Sequence, residues 1–337
     1  MSLAAGQRTV PDDFLVHSCH CYFLLAGAGD QPILFHVELV RDGRSFATRT
    51  VQARQRGRCI FTVTASFVRA DSSGAACVSH AAPMPTAAAA ADGDGTEQQD
   101  QEGAERKPLL LLPPTAADEA REPAAARQGP FVSHPIGMAG GRPGTAPTAP
   151  HAQRLRMWVK ARGRVSARGG HRAHLNALAY ISDSYFIGTV ARIHRLWRFP
   201  FPAAEFGRLP EAARQHVRQV MEWEGAATAG GGGGGGGEEG EGEGDNWDVG
   251  AAWADRPEVG IMVSLDHTIY FHAPARVRAD EWMLCEMESP WADDGRALVM
   301  QRIFARDGTL LATCVQEVSD GLGVSCVVQL ADVPGDI

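Results

Sequence analysis

The sequence lacks any run of about 18 apolar residues, which excludes a helical membrane span. Its opening, MSLAAGQRTVPDDFL, has no charged start followed by an apolar stretch, so no secretory leader is expected. No two cysteines stand at C-x-x-C spacing, and the seven present (Cys19, Cys21, Cys59, Cys77, Cys285, Cys314 and Cys326) are odd in number. That pattern reads as reduced thiols rather than a disulfide framework. There is no G-x-S-x-G elbow of the serine hydrolases, and no Gly-Lys-Ser/Thr that would close a phosphate loop. A surplus of positive charge is missing too: the net charge of −8 argues against a surface built throughout for nucleic acid. The expectation is a soluble intracellular protein. Its 337 residues suit two domains at about 100–200 residues each, and 38 glycines with 20 prolines show that part of it is not packed core.

Order is signalled in two regions. Residues 13–68 are rich in β-branched and aromatic side chains and are cut by turns at Arg41-Asp42-Gly43 and Gln55-Arg56-Gly57, predicting strands at 14–25, 32–40, 44–54 and 58–68. Residues 70–150 are dominated by Ala, Pro, Gly, Glu and Asp, a composition that cannot offset its ordering entropy, so a disordered linker is expected. Its apolar run Leu109–Leu112 stops at Pro113-Pro114 and reads as an exposed connector, with a short docking strand as the alternative. From Arg154 to Lys160 the alternation suits a half-buried strand. Leu175, Leu178, Ala179, Ser182 and Phe186 then fall at helical spacing within 171–190, and 209–224 reads as an amphipathic helix with Val217, Val220 and Met221 on one side. The polyglycine of Gly230–Gly237 and the acidic residues after it read as a flexible insertion at about 225–248. Strands are expected at 258–273, 280–289, 296–306 and 309–319.

The two ordered regions repeat each other. Val16–Phe23 lines up with Ser264–Phe271, Asp42-Gly43-Arg44 with Asp294-Gly295-Arg296, and Arg58–Phe67 with Thr309–Val318. In the second copy a strand and the helix at 171–190 precede the four-strand meander. The unit is a sheet wrapped around a helix, and two units in one chain form a pseudo-dimer.

The segments VHSCHCYFLLAG, VELVRDGRSFATRTVQARQRGRCIFTVTASF, NALAYISDSYF, VSLDHTIYFHAP and GTLLATCVQE resemble the type II acyl-CoA thioesterases, double-hotdog enzymes of bacteria and peroxisomes. The resemblance spans about residues 9–68 and 154–319. It implies an α+β double hotdog with a first repeat at 1–69, a linker at 70–150, a second repeat at 151–320 and a tail at 321–337. In the family a strand and a long helix precede the VHS segment. Met1 falls near the last turn of that helix, so the first repeat is expected to lack the strand and most of the helix. The implied activity is hydrolysis of fatty acyl-CoA to fatty acid and coenzyme A, with no cofactor. The family is frequently peroxisomal, and its members often associate further, which leaves a homo-oligomer open. The chain ends in Pro334-Gly335-Asp336-Ile337 rather than a Ser-Lys-Leu type signal, which leaves a cytoplasmic location as the alternative.

By motif, the family's reaction centre falls on Asp183, Ser264 and Gln316. A carboxylate accepts a proton from water, an amide offers one donor and one acceptor to hold that water, and a hydroxyl bridges them. The first copy has Val16 and Ala65 where the second has Ser264 and Gln316, which suggests one site per chain. Without the resemblance, Asp183 reads as a cap at a helix bend and Gln316 as a solvent-facing residue. Asp266 and His267 are neighbours on a strand, so their side chains point to opposite faces, and a structural role is expected for them. His17, Cys19 and Cys21 alternate onto one strand face and cannot enclose zinc without a further ligand, so the thiols read as core. Residues 151–200 carry ten Lys or Arg against Asp183 alone. From these, Arg154, Arg156, Arg192 and Arg195 are candidates for the phosphates of coenzyme A, with an ordinary solvated face as the alternative. The competing functions are an enoyl-CoA hydratase, which would need a close Asp and His pair at the helix, where His174 lies nine residues before Asp183 and out of i,i+4 reach, and a non-catalytic acyl-CoA-binding scaffold.

Overall fold

In the computed structural model the described residues are 1–70, 77–86, 111–120, 129–139, 149–165, 170–197, 201–223 and 262–319, with a few single positions between them. The insertion at 225–248 and the tail at 321–337 lie outside them. The first repeat comprises helix α1 (Ser2–Gln7) and strands β1 (Phe14–Phe23), β2 (Leu34–Asp42), β3 (Phe46–Gln55) and β4 (Arg58–Arg69). After helix α2 (Ala116–Ala120) come β5 (Phe131–Ala139), β6 (Arg154–Ala161), α3 (Gly170–Ser184), α4 (Gly188–Ile193) and α5 (Glu211–Trp223). The second meander is β7 (Val263–Ser264), β8 (Asp266–Phe271), β9 (Met283–Asp293), β10 (Arg296–Ala305) and β11 (Leu310–Ser319).

The strands form one sheet in the order β2-β3-β4-β1-β8-β11-β10-β9-β6-β5, with β7 also paired to β11. Reading inward from either side, β2-β3-β4-β1 meets β9-β10-β11-β8, so the repeat in the sequence becomes a pseudo-two-fold axis between β1 and β8. That seam is antiparallel, with Cys19 opposite Ile269 and Cys21 opposite His267. The double-hotdog architecture is therefore present. Helix α3 packs its buried face of Leu175, Leu178 and Ile181 on the inner side of the sheet. It shares one core with Val16, Val51 and Phe67 of the first repeat and Ile269, Cys314 and Val318 of the second. Fully burying a side chain of this kind contributes about 1.5–3 kcal/mol, so the shared core binds the repeats strongly.

Arg172 on α3 adds a polar bond between the repeats. Its guanidinium donates to the carbonyls of Gln7 (2.7 Å), Val10 (3.3 Å), Pro11 (2.5 Å) and Phe14 (3.3 Å), and Asn176 Nδ2 donates to Gln7 Oε1 at 2.9 Å. The last carbonyls of a helix have no partner within it, and the fork of Arg172 reaches the one at the end of α1.

Three expectations need correction. The stretch at 70–150 is not only a linker: β5 lies within it and pairs with β6 along its length. Met84 and Leu111, from the same stretch, pack with Val132, Trp158, Trp282, Leu284 and Phe304 on the outer side of the sheet. Two tryptophans on an outward face need an apolar cover, and Met84 and Leu111 supply part of it. The predicted helix over 171–190 is broken at 185–187. Ser182 and Ser184 turn their hydroxyls back onto the carbonyls of Ala179 (3.1 Å) and Tyr180 (3.0 Å), competing with the helical ladder just before the break. The strand expected over 258–273 is interrupted at Leu265, with consequences for the site. Helix α5 forms as expected and buries Val217 against Trp197, Ala203 and Phe206; the side chains of Val220 and Met221 lie outside the described residues.

Candidate active site

Asp183 sits on the last turn of α3, half-buried above the inner face of the sheet. Two side chains reach one of its carboxylate oxygens. Gln316 Nε2 donates to Asp183 Oδ1 at 2.5 Å, and Ser264 Oγ donates to the same oxygen at a long 3.4 Å. The other oxygen, Oδ2, accepts no hydrogen bond among the described residues. Gln316 is fully buried, and its Oε1 has no partner. The structure thus brings Asp183, Ser264 and Gln316 together from a helix and two strands.

A bulge makes this convergence possible. Val315 lies opposite Thr268, yet Val318 lies opposite Ser264, so three residues of one strand face two of the other. Side chains alternate along a strand, and one extra residue reverses the alternation beyond it. His267, Ile269 and Phe271 point inward on one side of the bulge, and Ser264 faces inward on the other, level with Val318. The bulge also leaves the Glu317 N–H without a ladder partner. The Asp266 carboxylate accepts it at 2.7 Å, while Leu265 N–H donates to Glu317 O at 2.9 Å. Asp266 therefore has a structural role, as a partner for the backbone.

The first repeat carries the same bulge without the polar atoms. Val16 pairs with Phe67 and Ser18 with Ser66, so His17 is the extra residue. Val16 and Ala65, at the positions matching Ser264 and Gln316, are fully buried. This bulge also corrects the expected grouping of His17 with Cys19 and Cys21. His17 turns outward and meets Ser66 Oγ at 2.8 Å, whereas both thiols are buried on the inner side. Burial pushes the Cys19 thiol up to about 12 and the Cys21 thiol higher still, so neither is a nucleophile near neutral pH.

His267 is the neighbour that sequence reasoning undervalued. It is buried, and its Nε2 lies 3.0 Å from Ser182 Oγ, on the residue before Asp183. Burial lowers its pKa, against the opposing pull of the Asp183 and Asp266 carboxylates. The partners are 85 residues apart, and no local spacing signals such a bond.

Family models for the acyl-CoA thioesterase N-terminal domain and C-terminal domain match residues 1–68 and 113–319. The chain belongs to the acyl-CoA thioesterase family. It is 32% identical over 322 residues to acyl-coenzyme A thioesterase 8 of Homo sapiens, a match covering 94% of this chain and 76% of that protein. A 61-residue stretch is 41% identical to the peroxisomal acyl-coenzyme A thioester hydrolase 1 of Saccharomyces cerevisiae, 18% of each chain. Among solved structures, acyl-CoA thioesterase II TesB2 from Mycobacterium marinum superposes with a TM-score of 0.56 at 26% identity, covering 94% of this chain and 85% of that one. The chain is thus a thioester hydrolase of acyl-CoA.

For an acyl-CoA thioesterase the basic residues at 151–200 are the natural place to seek phosphate contacts, and the structure divides them. Arg154 bonds Glu288 at 2.5 Å and Arg156 bonds Glu286 at 2.7 Å. By register, Arg156, Glu286 and Arg302 share the outer face, away from Gln316 and Asp183. With carboxylates already paired to them, Arg154 and Arg156 do not suit the phosphate role expected of them. Arg192 is half-buried beside the helix break, and desolvation pulls its guanidinium down to about 10. Arg195 is exposed, on a left-handed backbone turn with φ 52° just past α4.

Proposed function

We propose that this chain hydrolyses fatty acyl-CoA with Asp183 as general base. The carrying observation is that two side chains, 81 and 133 residues distant in sequence, converge on one oxygen of Asp183 and leave the other open. The Gln316 amide and Ser264 hydroxyl hold Oδ1 and so orient the carboxylate. Oδ2 takes a proton from water while Gln316 Oε1 accepts the water's second hydrogen, aligning its lone pair. The water oxygen bonds to the thioester carbonyl carbon. When the tetrahedral intermediate collapses, the C–S bond breaks and the proton on Asp183 passes to the departing sulfur. Free acid and coenzyme A leave, and the carboxylate is restored. Arg195 is the exposed cation that this reading assigns to a coenzyme A phosphate. The resemblance to peroxisomal relatives favours that compartment, which fractionation of cells expressing the chain would test.

The decisive measurement is thiol release from palmitoyl-CoA. Asp183→Asn keeps the shape but cannot take a proton, and should lower kcat by at least about 100-fold with an unchanged melting temperature. A folded Asp183→Asn protein with near-normal turnover would exclude the carboxylate as base.

A further inference from the structure

We infer that His267 is a positioning residue for the reaction centre, holding the turn that carries Asp183 by gripping the residues on either side of it. The inference rests on the reading of Asp183 as base.

The grip has two parts. Ser182, immediately before Asp183, meets His267 Nε2 at 3.0 Å, and Phe186, three residues after it, meets the imidazole ring edge-on at a centroid distance of 5.7 Å. All three side chains are buried. The protonation state follows from their surroundings. Burial keeps the ring neutral, so it carries one N–H. The Ser182 hydroxyl donates to Ala179 O at 3.1 Å and has lone pairs to accept with. Nε2–H donating to Ser182 Oγ satisfies both groups, and Nδ1, which has no partner, is then a bare lone pair. The other tautomer would bury an N–H with nothing to receive it, the costlier arrangement.

This bond acts where it is needed. The helical ladder ends at Ser184, the chain breaks at 185–187, and Asp183 therefore stands on a turn with little helix beyond it. His267 stands in the β7–β8 bulge region that also sets the direction of Ser264. One ring thus ties the turn carrying the base to the strand segment carrying its hydroxyl partner. Small errors in such placement are expensive, because proton transfer requires hydrogen-bond reach.

The test uses kcat, KM and thermal melting of the full chain with palmitoyl-CoA. His267→Leu should lower kcat about 10- to 100-fold with KM within about twofold, as expected when only placement of the base is lost. His267→Gln places an amide N–H near the Nε2 position and should recover most of that loss. Ser182→Ala should reproduce the defect, and His267→Leu with Ser182→Ala should be little worse than either alone. Full kcat in folded His267→Leu would overturn the inference. So would a His267→Gln no better than His267→Leu, with effects additive to Ser182→Ala, since that is packing alone. If His267→Leu does not fold, Ser182→Ala decides: unchanged kcat overturns the inference and a reduced kcat at constant KM supports it. Asp183→Asn run in parallel separates the two ideas. Its retention of activity would sink the base assignment, while its inactivity beside fully active His267 and Ser182 variants would sink only the positioning role.

Discussion

Asp183 is served unequally by its two partners. Gln316 donates at 2.5 Å from a fully buried position, whereas the Ser264 contact of 3.4 Å lies at the limit of a hydrogen bond. Their removal should differ accordingly. Gln316→Ala deletes the short bond and the acceptor proposed for water, and should cost kcat about 10- to 100-fold, less than loss of the proposed base. Ser264→Ala should cost a few-fold at most. Steady-state kinetics of the two variants checks this order, and a larger loss at Ser264 would move the role of water-holder to that hydroxyl. The motifs singled out Asp183, Ser264 and Gln316, whose side chains meet in the structure. The His267–Ser182 bond was not legible in the sequence, because two neighbouring polar residues on a strand carry no information about a helix 85 positions away.

Strands in both meanders were readable from alternation and turn residues, and their ends shifted by only a few positions. The irregularities were not readable. An extra residue at His17, and another between Ser264 and Thr268, leave no mark in a pattern of alternating side chains when neighbouring positions are mixed in polarity. β5 was hidden for a different reason: its sequence, FVSHPIGMA, sits in proline- and alanine-rich surroundings and becomes a strand by pairing with β6. The outer cluster shows that this stretch also stabilises the fold. Met84→Ala should uncover part of the Trp158–Trp282 surface and destabilise the protein by about 2 kcal/mol. Denaturant unfolding measures the difference, and no shift in midpoint would mean that Met84 covers nothing of consequence.

The pseudo-dimer depends on its central seam, where β1 pairs with β8 and Arg172 reaches across from α3 to the end of α1 and the chain after it. Arg172→Met keeps an aliphatic stem but leaves part-buried carbonyls without donors, and should cost about 1–2 kcal/mol. Because the core is shared, both repeats should still unfold in one transition. Calorimetry of the variant would show a single lower-temperature peak; two separated peaks would mean that the repeats are independently stable.

Hydrophobic alternation, the glycine turns and the internal repeat determined that this chain builds two related sheets, and its motifs marked which repeat carries the polar site. These are local properties, written in spacings of two to four residues and in the similarity of one segment to another. Tertiary structure alone decided that Gln316 and Ser264 meet on a single oxygen of Asp183, and that His267 meets Ser182 on the same turn. It also decided that Arg154 and Arg156 are committed to Glu288 and Glu286 on the far face. Each of these depends on register between distant strands, and one extra residue in a bulge is enough to send a side chain to the opposite face of the sheet.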